Sequence, residues 1–272
     1  MLSRAVNDIT AGSVWWTMAF QEGEYLYLQG EDGRRYFFRL QNSMVKLGGL
    51  GVIDGSRFCG KDDGDMVEIV GKKFNVFRPG TVDLMESLER GAQIITPKDA
   101  CEILFECDIR AGSRVIEVGA GSGGLTTALL NAVAPTGHVH TIEFKQQNAD
   151  RALRNVKRTG LDQYWTCQIG DARDAPIEFD NADALITDMP DAENALDNLV
   201  PHLRNGGRIC TYVPNVNQLE LSVRALRDRG FADVRSFEVM RRGMEVHEGG
   251  TRPSFEMLGH TGYLTFARKR SV

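Results

Sequence analysis

Two patterns of apolar spacing divide the chain. Up to about residue 76, apolar positions come in short runs broken by glycines. Glu24-Tyr25-Leu26-Tyr27-Leu28 and Arg35-Tyr36-Phe37-Phe38-Arg39-Leu40 flank Gly30-Glu31-Asp32-Gly33, which predicts a hairpin over residues 21–40. Val45-Lys46-Leu47, Gly51-Val52-Ile53 and Met66-Val67-Glu68-Ile69-Val70 add further short strands, and helical periodicity is nearly absent. These features predict a small all-β domain over 1–76, either a barrel or a sheet of short strands. A second domain is expected over 77–272.

After Pro79 the period changes. A short helix is predicted over 82–88. Another opens at Pro97, which suits a first helical turn; Thr96 could cap it, and Ile103, Leu104 and Cys107 share one side. Strands are predicted at 114–119, 139–144, 166–170, 184–188 and 208–213. Helices are predicted at 125–133, 147–158, 193–202 and 218–228. Alternation of this kind builds a parallel sheet with helices on both faces. Two β-rich runs, 234–246 and 261–268, have no helical pattern between them, so the sheet should finish antiparallel. The expected fold is α/β: a Rossmann-like, doubly wound, mostly parallel sheet of seven strands behind the small β domain.

The strongest motif is Val115-Ile116-Glu117-Val118-Gly119-Ala120-Gly121-Ser122-Gly123-Gly124-Leu125. An apolar strand runs into glycines and then a helix, so backbone can turn sharply and approach a ligand. Gly119, Gly121 and Gly124 also fit the dinucleotide fingerprint, and a tight turn without ligand is the plain alternative. Glu117, two residues before the first glycine, suits a cationic, amino-acid-bearing ligand better than a pyrophosphate. Glu143, followed by Phe144, ends the next strand, where a carboxylate can accept two ribose hydroxyls; alone it would read as a surface residue. Asp171-Ala172 follows the third strand and could accept from an adenine amino group or close an Asx turn. Asp188 leaves the fourth strand before Met189-Pro190, at the edge where open α/β sheets bind ligands; it could instead cap the helix predicted at 193–202.

The glycine loop resembles the first motif of the class I S-adenosylmethionine methyltransferases. The wider chain, over about 15–270, resembles the tRNA (adenine-N1)-methyltransferase family, archaeal and bacterial enzymes that modify a T-loop adenine. Arg90-Gly91-Ala92-Gln93-Ile94-Ile95-Thr96-Pro97-Lys98-Asp99 is similar to the family's G-A-Q-x-I-x-P-K-D segment. Met257-Leu258-Gly259-His260-Thr261-Gly262-Tyr263-Leu264 is similar to its M-x-G-H-T-x-F-L segment. The glycine loop and Asp188 with its flanks complete the resemblance, and the small β domain matches too.

The resemblance implies a methyltransferase sheet and S-adenosyl-L-methionine as cofactor. It implies that Gln93, Glu117, Gly119, Gly121, Gly123, Gly124, Leu125, Glu143, Phe144, Asp171, Ala172 and Asp188 form the cofactor site. Asp188 is the implied catalytic residue, contacting the amino group of the target adenine and orienting N1. Arg252, His260 and Tyr263 are implied at the substrate mouth. A homotetramer acting on tRNA, without metal, is the implied assembly. Two positions depart from the family: Thr96 stands where a Tyr is common, and Ala192-Glu193 where Pro-Trp is common. An aromatic platform for the base is therefore absent there, and Tyr263 or Phe255 is its expected replacement.

Composition constrains partners more than fold. The 272 residues carry 32 basic and 37 acidic side chains, a formal charge of −5. Nucleic-acid binders more often have a basic balance, so RNA would need a local patch. The clusters Arg151/Arg154/Lys157/Arg158, Arg224/Arg227/Arg229, Arg241-Arg242 and Arg268-Lys269-Arg270 are candidates. Five cysteines, odd in number and widely spaced without CxxC, argue against disulfides and zinc; reduced and mostly buried thiols are expected. No run is long and apolar enough for a membrane span, and Met1 to Asp8 lacks a signal-peptide core, so a cytoplasmic protein is expected. Competing readings are a protein L-isoaspartyl O-methyltransferase, a non-catalytic tRNA-binding subunit and a nicotinamide oxidoreductase. The first has no place for the G-A-Q and G-H-T segments. Intact Glu117, Gly119, Gly121, Glu143 and Asp188 oppose the second, and the third lacks a hydride-transfer constellation.

Overall fold

The structure, a computed structural model, describes residues 19–91 and 93–271. Residues 1–18 of the expected β domain, including the start read for a signal peptide, and Ala92 of the G-A-Q segment lie outside the described residues. The chain divides into two compact units at Gly80/Thr81.

The N-terminal unit holds strands β1 (Tyr25–Gly30), β2 (Arg35–Arg39), β3 (Met44–Leu47), β4 (Gly51–Asp54), β5 (Met66–Ile69) and β6 (Lys72–Phe77). They form open sheets, β2-β1-β6-β5 and β3-β4, in place of a barrel. The predicted hairpin pairs Tyr25 with Arg39 and Gln29 with Arg35. Period-2 alternation sends Leu26, Leu28, Phe38, Phe74 and Val76 into a core shared with Val45 and Leu47 of the second sheet.

The second unit contains α1 (Thr81–Glu86), α2 (Pro97–Glu106), β7 (Arg114–Val118), α3 (Gly124–Val133), β8 (His138–Glu143), α4 (Gln146–Thr159), β9 (Trp165–Ile169), β10 (Ala182–Thr187), α5 (Leu196–Leu199), β11 (Leu203–Val213), α6 (Val216–Asp228), β12 (Ala232–Phe237), β13 (Met244–His247), β14 (Gly250–Pro253) and β15 (Tyr263–Arg268). Seven strands form one sheet in the order β12-β15-β11-β10-β7-β8-β9. The β7, β8, β9, β10 and β11 strands run parallel, and β15 lies antiparallel to both β11 and β12. Alternate strand residues serve two cores. Val115, Val139 and Ile186 face α2, α3 and α4, while Ile116, Ile142 and Leu185 face α5 and α6.

Two predicted elements differ. The helix expected at 193–202 breaks into a 3-10 turn at Ala192–Asn194, the four-residue α5, and a second 3-10 turn at Val200–His202. Pro201 is the second residue of that last turn, where it removes a helical N–H donor. The β-rich run expected at 234–246 splits into β12 and β13, and β13 pairs with β14 in a separate two-stranded sheet, Glu245 opposite Arg252. Among the cysteines only Cys107 and Cys210 are buried; Cys59 and Cys101 are exposed and all five are free thiols.

Candidate active site

Backbone register assembles the site. Thr187 pairs with Val118, Val118 with Ile142, and Glu143 with Ile169, so four neighbouring strands end level. The bonds continue one residue further: Asp188 N–H donates to Val118 O at 2.8 Å, Gly119 N–H to Ile142 O at 2.9 Å, and Gly170 N–H to Glu143 O at 3.1 Å. Asp188, Gly119, Glu143 and Asp171 therefore emerge side by side at the carboxyl edge. Chain order reverses between β7 and β10, the switch point where open α/β sheets bind ligands. A cavity of about 420 Å³ opens there, within the range of small-ligand sites.

Gly119 is required by its neighbours. Its φ is +91°, and an added Cβ would lie 2.3 Å from Asp188 O. Gly121, with φ +53°, would place a Cβ in open space. Glu143 is 4% exposed and holds the loop: Oε2 accepts from Gly121 N–H at 3.1 Å, and Oε1 accepts from Lys145 N–H at 2.8 Å and Asn148 Nδ2 at 3.2 Å. Asp171 closes the anticipated Asx turn by accepting from Arg173 N–H at 3.0 Å, and also accepts from Arg173 Nη2 at 2.6 Å. That guanidinium keeps the Asp171 carboxyl below its usual range. Asp188 does the reverse: burial, then the negative charge of Glu143, push its carboxyl up to about 7. It does not cap the broken 192–202 segment, whose N-terminal flank is Asp191.

Of the expected cofactor residues, Gln93, Gly119, Gly121, Glu143, Phe144, Asp171, Ala172 and Asp188 line the cavity. Glu117, Gly123, Gly124 and Leu125 do not. Gly123 precedes α3 in the left-handed conformation, and Gly124 and Leu125 are buried in its first turn. Glu117 is 1% exposed and sits under the loop, where Oε2 accepts from Thr126 Oγ1 at 2.8 Å and Thr141 Oγ1 at 2.7 Å. Burial raises its carboxyl to about 7, against the lowering effect of those two hydroxyls. Its Oε1 has no partner among the described residues.

The residues expected at the substrate mouth stand apart from the cavity wall. His260 and Tyr263 are together, ring centroids 4.8 Å apart. His260 bonds Glu238 Oε1 at 2.6 Å and Pro214 O at 2.8 Å, and these two acceptors favour the imidazolium. Arg252 belongs to the β13–β14 hairpin, paired with Glu245 and lying 4.2 Å over the ring of Phe255. Two basic clusters are partly spent on structure. Arg154 pairs with Glu89 and Arg158 donates to Ser87 O; Arg229 pairs with Asp197 and Arg224 with Glu220.

Sequence reading missed Lys145, Asn148, Arg173, Met189, Pro190 and Asp191 in the wall. It also missed Asn155. This side chain is 0% exposed; Oδ1 accepts from Glu89 N–H at 3.0 Å, and Nδ2 donates to Glu89 O at 3.1 Å and Ser122 O at 2.8 Å. It ties the segment before Gln93 to the glycine loop. The only signal was an Asn in the middle of a helix, where Asn is a weak former. Asn155→Leu keeps the branching at Cγ but strands three backbone groups, a loss of about 3 kcal/mol. The expected result is a melting temperature lower by roughly 5–10 °C, and unchanged melting would show that the segment does not need this bridge.

The lining charges discriminate between cofactors. Glu143, Asp171, Asp188 and Asp191 outnumber Lys145 and Arg173, four against two. An acidic wall suits a sulfonium with an α-amino group and opposes a dinucleotide pyrophosphate. The cavity, the glycine loop and Glu143 thus fit S-adenosylmethionine.

A family profile described as the tRNA methyltransferase complex GCD14 subunit matches residues 80–251. The chain belongs to this tRNA methyltransferase family. Among curated relatives, the tRNA (adenine(57)-N(1)/adenine(58)-N(1))-methyltransferase TrmI of Methanocaldococcus jannaschii is 34% identical over 90% of this chain and 94% of its own. The tRNA (adenine(58)-N(1))-methyltransferase TrmI of Thermus thermophilus is 30% identical over 74% of this chain and 78% of its own. Among solved structures, an S-adenosylmethionine-dependent O-methyltransferase of Thermotoga maritima superposes with TM-score 0.83 at 28% identity, covering 94% of this chain and 96% of that one. TrmI of Aquifex aeolicus superposes with TM-score 0.76 at 24% identity, covering 93% and 100%, and shares the fold. This member of the GCD14/TrmI family is a methyltransferase that uses S-adenosyl-L-methionine. Among the described residues no helix is long and apolar enough to cross a membrane, and no group of three or more His, Cys, Asp or Glu is placed to hold a metal ion.

Proposed function

We propose that the chain methylates N1 of a T-loop adenine in tRNA, at the position its TrmI relatives are named for. The observation that carries this reading is Asp188, a half-buried carboxylate at the cavity wall beside the glycine loop. When bound, S-adenosylmethionine supplies an electrophilic methyl group on a sulfonium. Gly119, Gly121, Glu143, Phe144 and Asp171 would hold the cofactor, with Gln93 closing one side. Asp188 would accept a hydrogen bond from the exocyclic amine and aim N1 at the methyl carbon. N1 alkylation makes the base cationic, so an ionised Asp188 favours the product-like charge more than the neutral ground state. No base needs to remove a proton before attack.

The test is methyl transfer from labelled S-adenosylmethionine to unmodified tRNA, with nucleoside mass spectrometry. Appearance of 1-methyladenosine, lost when the T-loop adenine is changed, supports the proposal; cofactor binding without tRNA labelling sinks it. The similar Thermotoga protein is named an O-methyltransferase, so isoaspartyl peptides belong in the same assay as the second acceptor.

His260, Tyr263 and Arg252 are proposed on the RNA side. The Glu238 carboxylate favours His260 as a cation, so this charge persists to higher pH than on an ordinary imidazole and is lost as pH rises through the raised value. Glu238→Gln should move the upward break in tRNA KM to lower pH. Identical KM profiles would remove His260 from the interface.

A homotetramer in the cytoplasm is the proposed working form. Met240, Met244, Val246, Phe255 and Leu258 are all exposed within residues 240–258, more apolar surface than one short region usually leaves to water. Light scattering of wild type against Val246→Glu checks whether that surface holds copies together.

A further inference from the structure

Two sequence segments have no share in the cavity beyond Gln93: Pro97-Lys98-Asp99 and Gly259-His260-Thr261-Gly262. The structure joins them. Lys98 Nζ donates to Asp99 Oδ1 at 2.7 Å and to Thr261 Oγ1 at 2.7 Å, across 163 positions of chain. Thr96 Oγ1 donates to the other Asp99 oxygen, Oδ2, at 2.8 Å, which takes its hydroxyl away from the cap predicted for it. The cluster is dry: Asp99 is 0% exposed and the Lys98 side chain 11%. Thr261 is 4% exposed.

Three of the four loop residues are fixed, each by a different contact. His260 bonds Glu238 and Pro214 O. Thr261 accepts from Lys98. Gly262 lies on the ring of Tyr212, where an added Cβ would be 2.4 Å from Cζ. Pro214 and Tyr212 sit at the end of β11, and Thr211 pairs with Thr187. The loop is therefore held one strand away from Asp188, and its neighbour Tyr263 opens β15.

The Lys98–Asp99 ion pair satisfies the buried charge of α2 within that helix. An ammonium has three donors, and the bond to Thr261 is the one that leaves the helix. We infer that Lys98 is a positioning residue for methyl transfer: through Thr261 it fixes the 259–262 loop, and with it His260 and Tyr263, on the RNA side of Asp188. This rests on the tRNA reading above.

Thr261→Val is the decisive variant because it removes the acceptor and leaves the ion pair intact. The expected result is a tRNA KM about tenfold higher, the size of one lost hydrogen bond to a charged group, with S-adenosylmethionine affinity within twofold of wild type. Amide exchange over residues 259–263 should become faster, and Thr261→Ser should restore both readouts. Adding Thr261→Val to His260→Ala should cost little more than His260→Ala alone, because both act through one loop. Unchanged KM and unchanged exchange in Thr261→Val would overturn the inference. So would equal losses of cofactor affinity and tRNA affinity with a lower melting temperature, which mark a purely structural bond. If wild type methylates no tRNA, the proposed function fails, and the exchange measurement alone decides whether Lys98 holds the loop.

Discussion

Asp188→Ala should lower turnover by about 10²–10⁴-fold while S-adenosylmethionine still binds within a few-fold of wild type. The side chain stands at the wall of the cavity, and the loop that would grip the cofactor is organised by Glu143 and by backbone. Removing the Asp188 carboxylate leaves those bonds in place. It takes away the acceptor that would orient the base and the negative charge that would meet its new positive one. Asp188→Asn separates the two roles, because an amide oxygen can still accept a hydrogen bond. A loss smaller than that of Asp188→Ala is expected, and the difference between the variants measures orientation. Full activity in Asp188→Ala would remove the residue from the mechanism.

The same carboxyl sets a pH dependence with a definite sign. Burial, then Glu143, raise it to about 7, so the charged form that favours transfer is reached only as pH rises toward neutrality. The rate with wild type should climb over that range, with a midpoint at or below about 7 because a cationic cofactor beside the group favours ionisation. The Asp188→Asn profile should be flat there. Stability runs the other way. A folded-state value above the ordinary one contributes stability that is present below the ordinary value and lost as pH rises through the folded one. Glu117, also raised to about 7, has the same sign. The cofactor-free protein should therefore melt lower at pH 8 than at pH 5, and Asp188→Asn should melt higher than wild type at pH 8. At 1.36 kcal/mol per unit, a gain on the order of 1–3 kcal/mol is the expected scale. Equal melting of the two proteins at pH 8 would show that the carboxyl is not desolvated.

The order of strands and helices was legible because short β-rich runs alternate with helical periodicity, and a carboxylate stands at or just past the end of β8, β9 and β10. Asp188, Glu143 and Asp171 could be placed from sequence for that reason. The surroundings of Glu117 were not legible. Spacing put it near the loop, but a strand alternates faces, and only packing shows that its partners are Thr126 and Thr141 beneath the glycines. Asn155 and Lys98 were invisible as functional groups for a related reason. Their partners are Glu89, Ser122 and Thr261, which no local period connects to them. The helix after Asp191 was misread because Pro201 interrupts its pattern, and the β13–β14 hairpin because β12 and β13 read as one β-rich run. Arg252, His260 and Tyr263 were grouped by resemblance, and only the last two touch.

Gly119 offers the sharpest test of how the edge is built. Gly119→Ala should weaken S-adenosylmethionine binding by about 30- to 1,000-fold, from a local cost of about 2–4 kcal/mol. Two penalties combine. The backbone at φ +91° disfavours any side chain, and the methyl would sit 2.3 Å from Asp188 O. That oxygen is backbone, so no rotamer change relieves the overlap. Relief requires β7 and β10 to part at their ends, against the bond from Asp188 N–H to Val118 O at 2.8 Å. Both cofactor binding and melting temperature should fall. Gly121→Ala is the contrasting case. Its φ of +53° lies where alanine is strained only modestly, and its Cβ would point into open space. Melting should change little there, while a methyl at the cavity wall still interferes with the cofactor. If Gly119→Ala bound S-adenosylmethionine as wild type does, the edge would have to be loose enough to reshape. The shared placement of Asp188 and the glycine loop would then no longer explain how a base and a methyl donor are brought together.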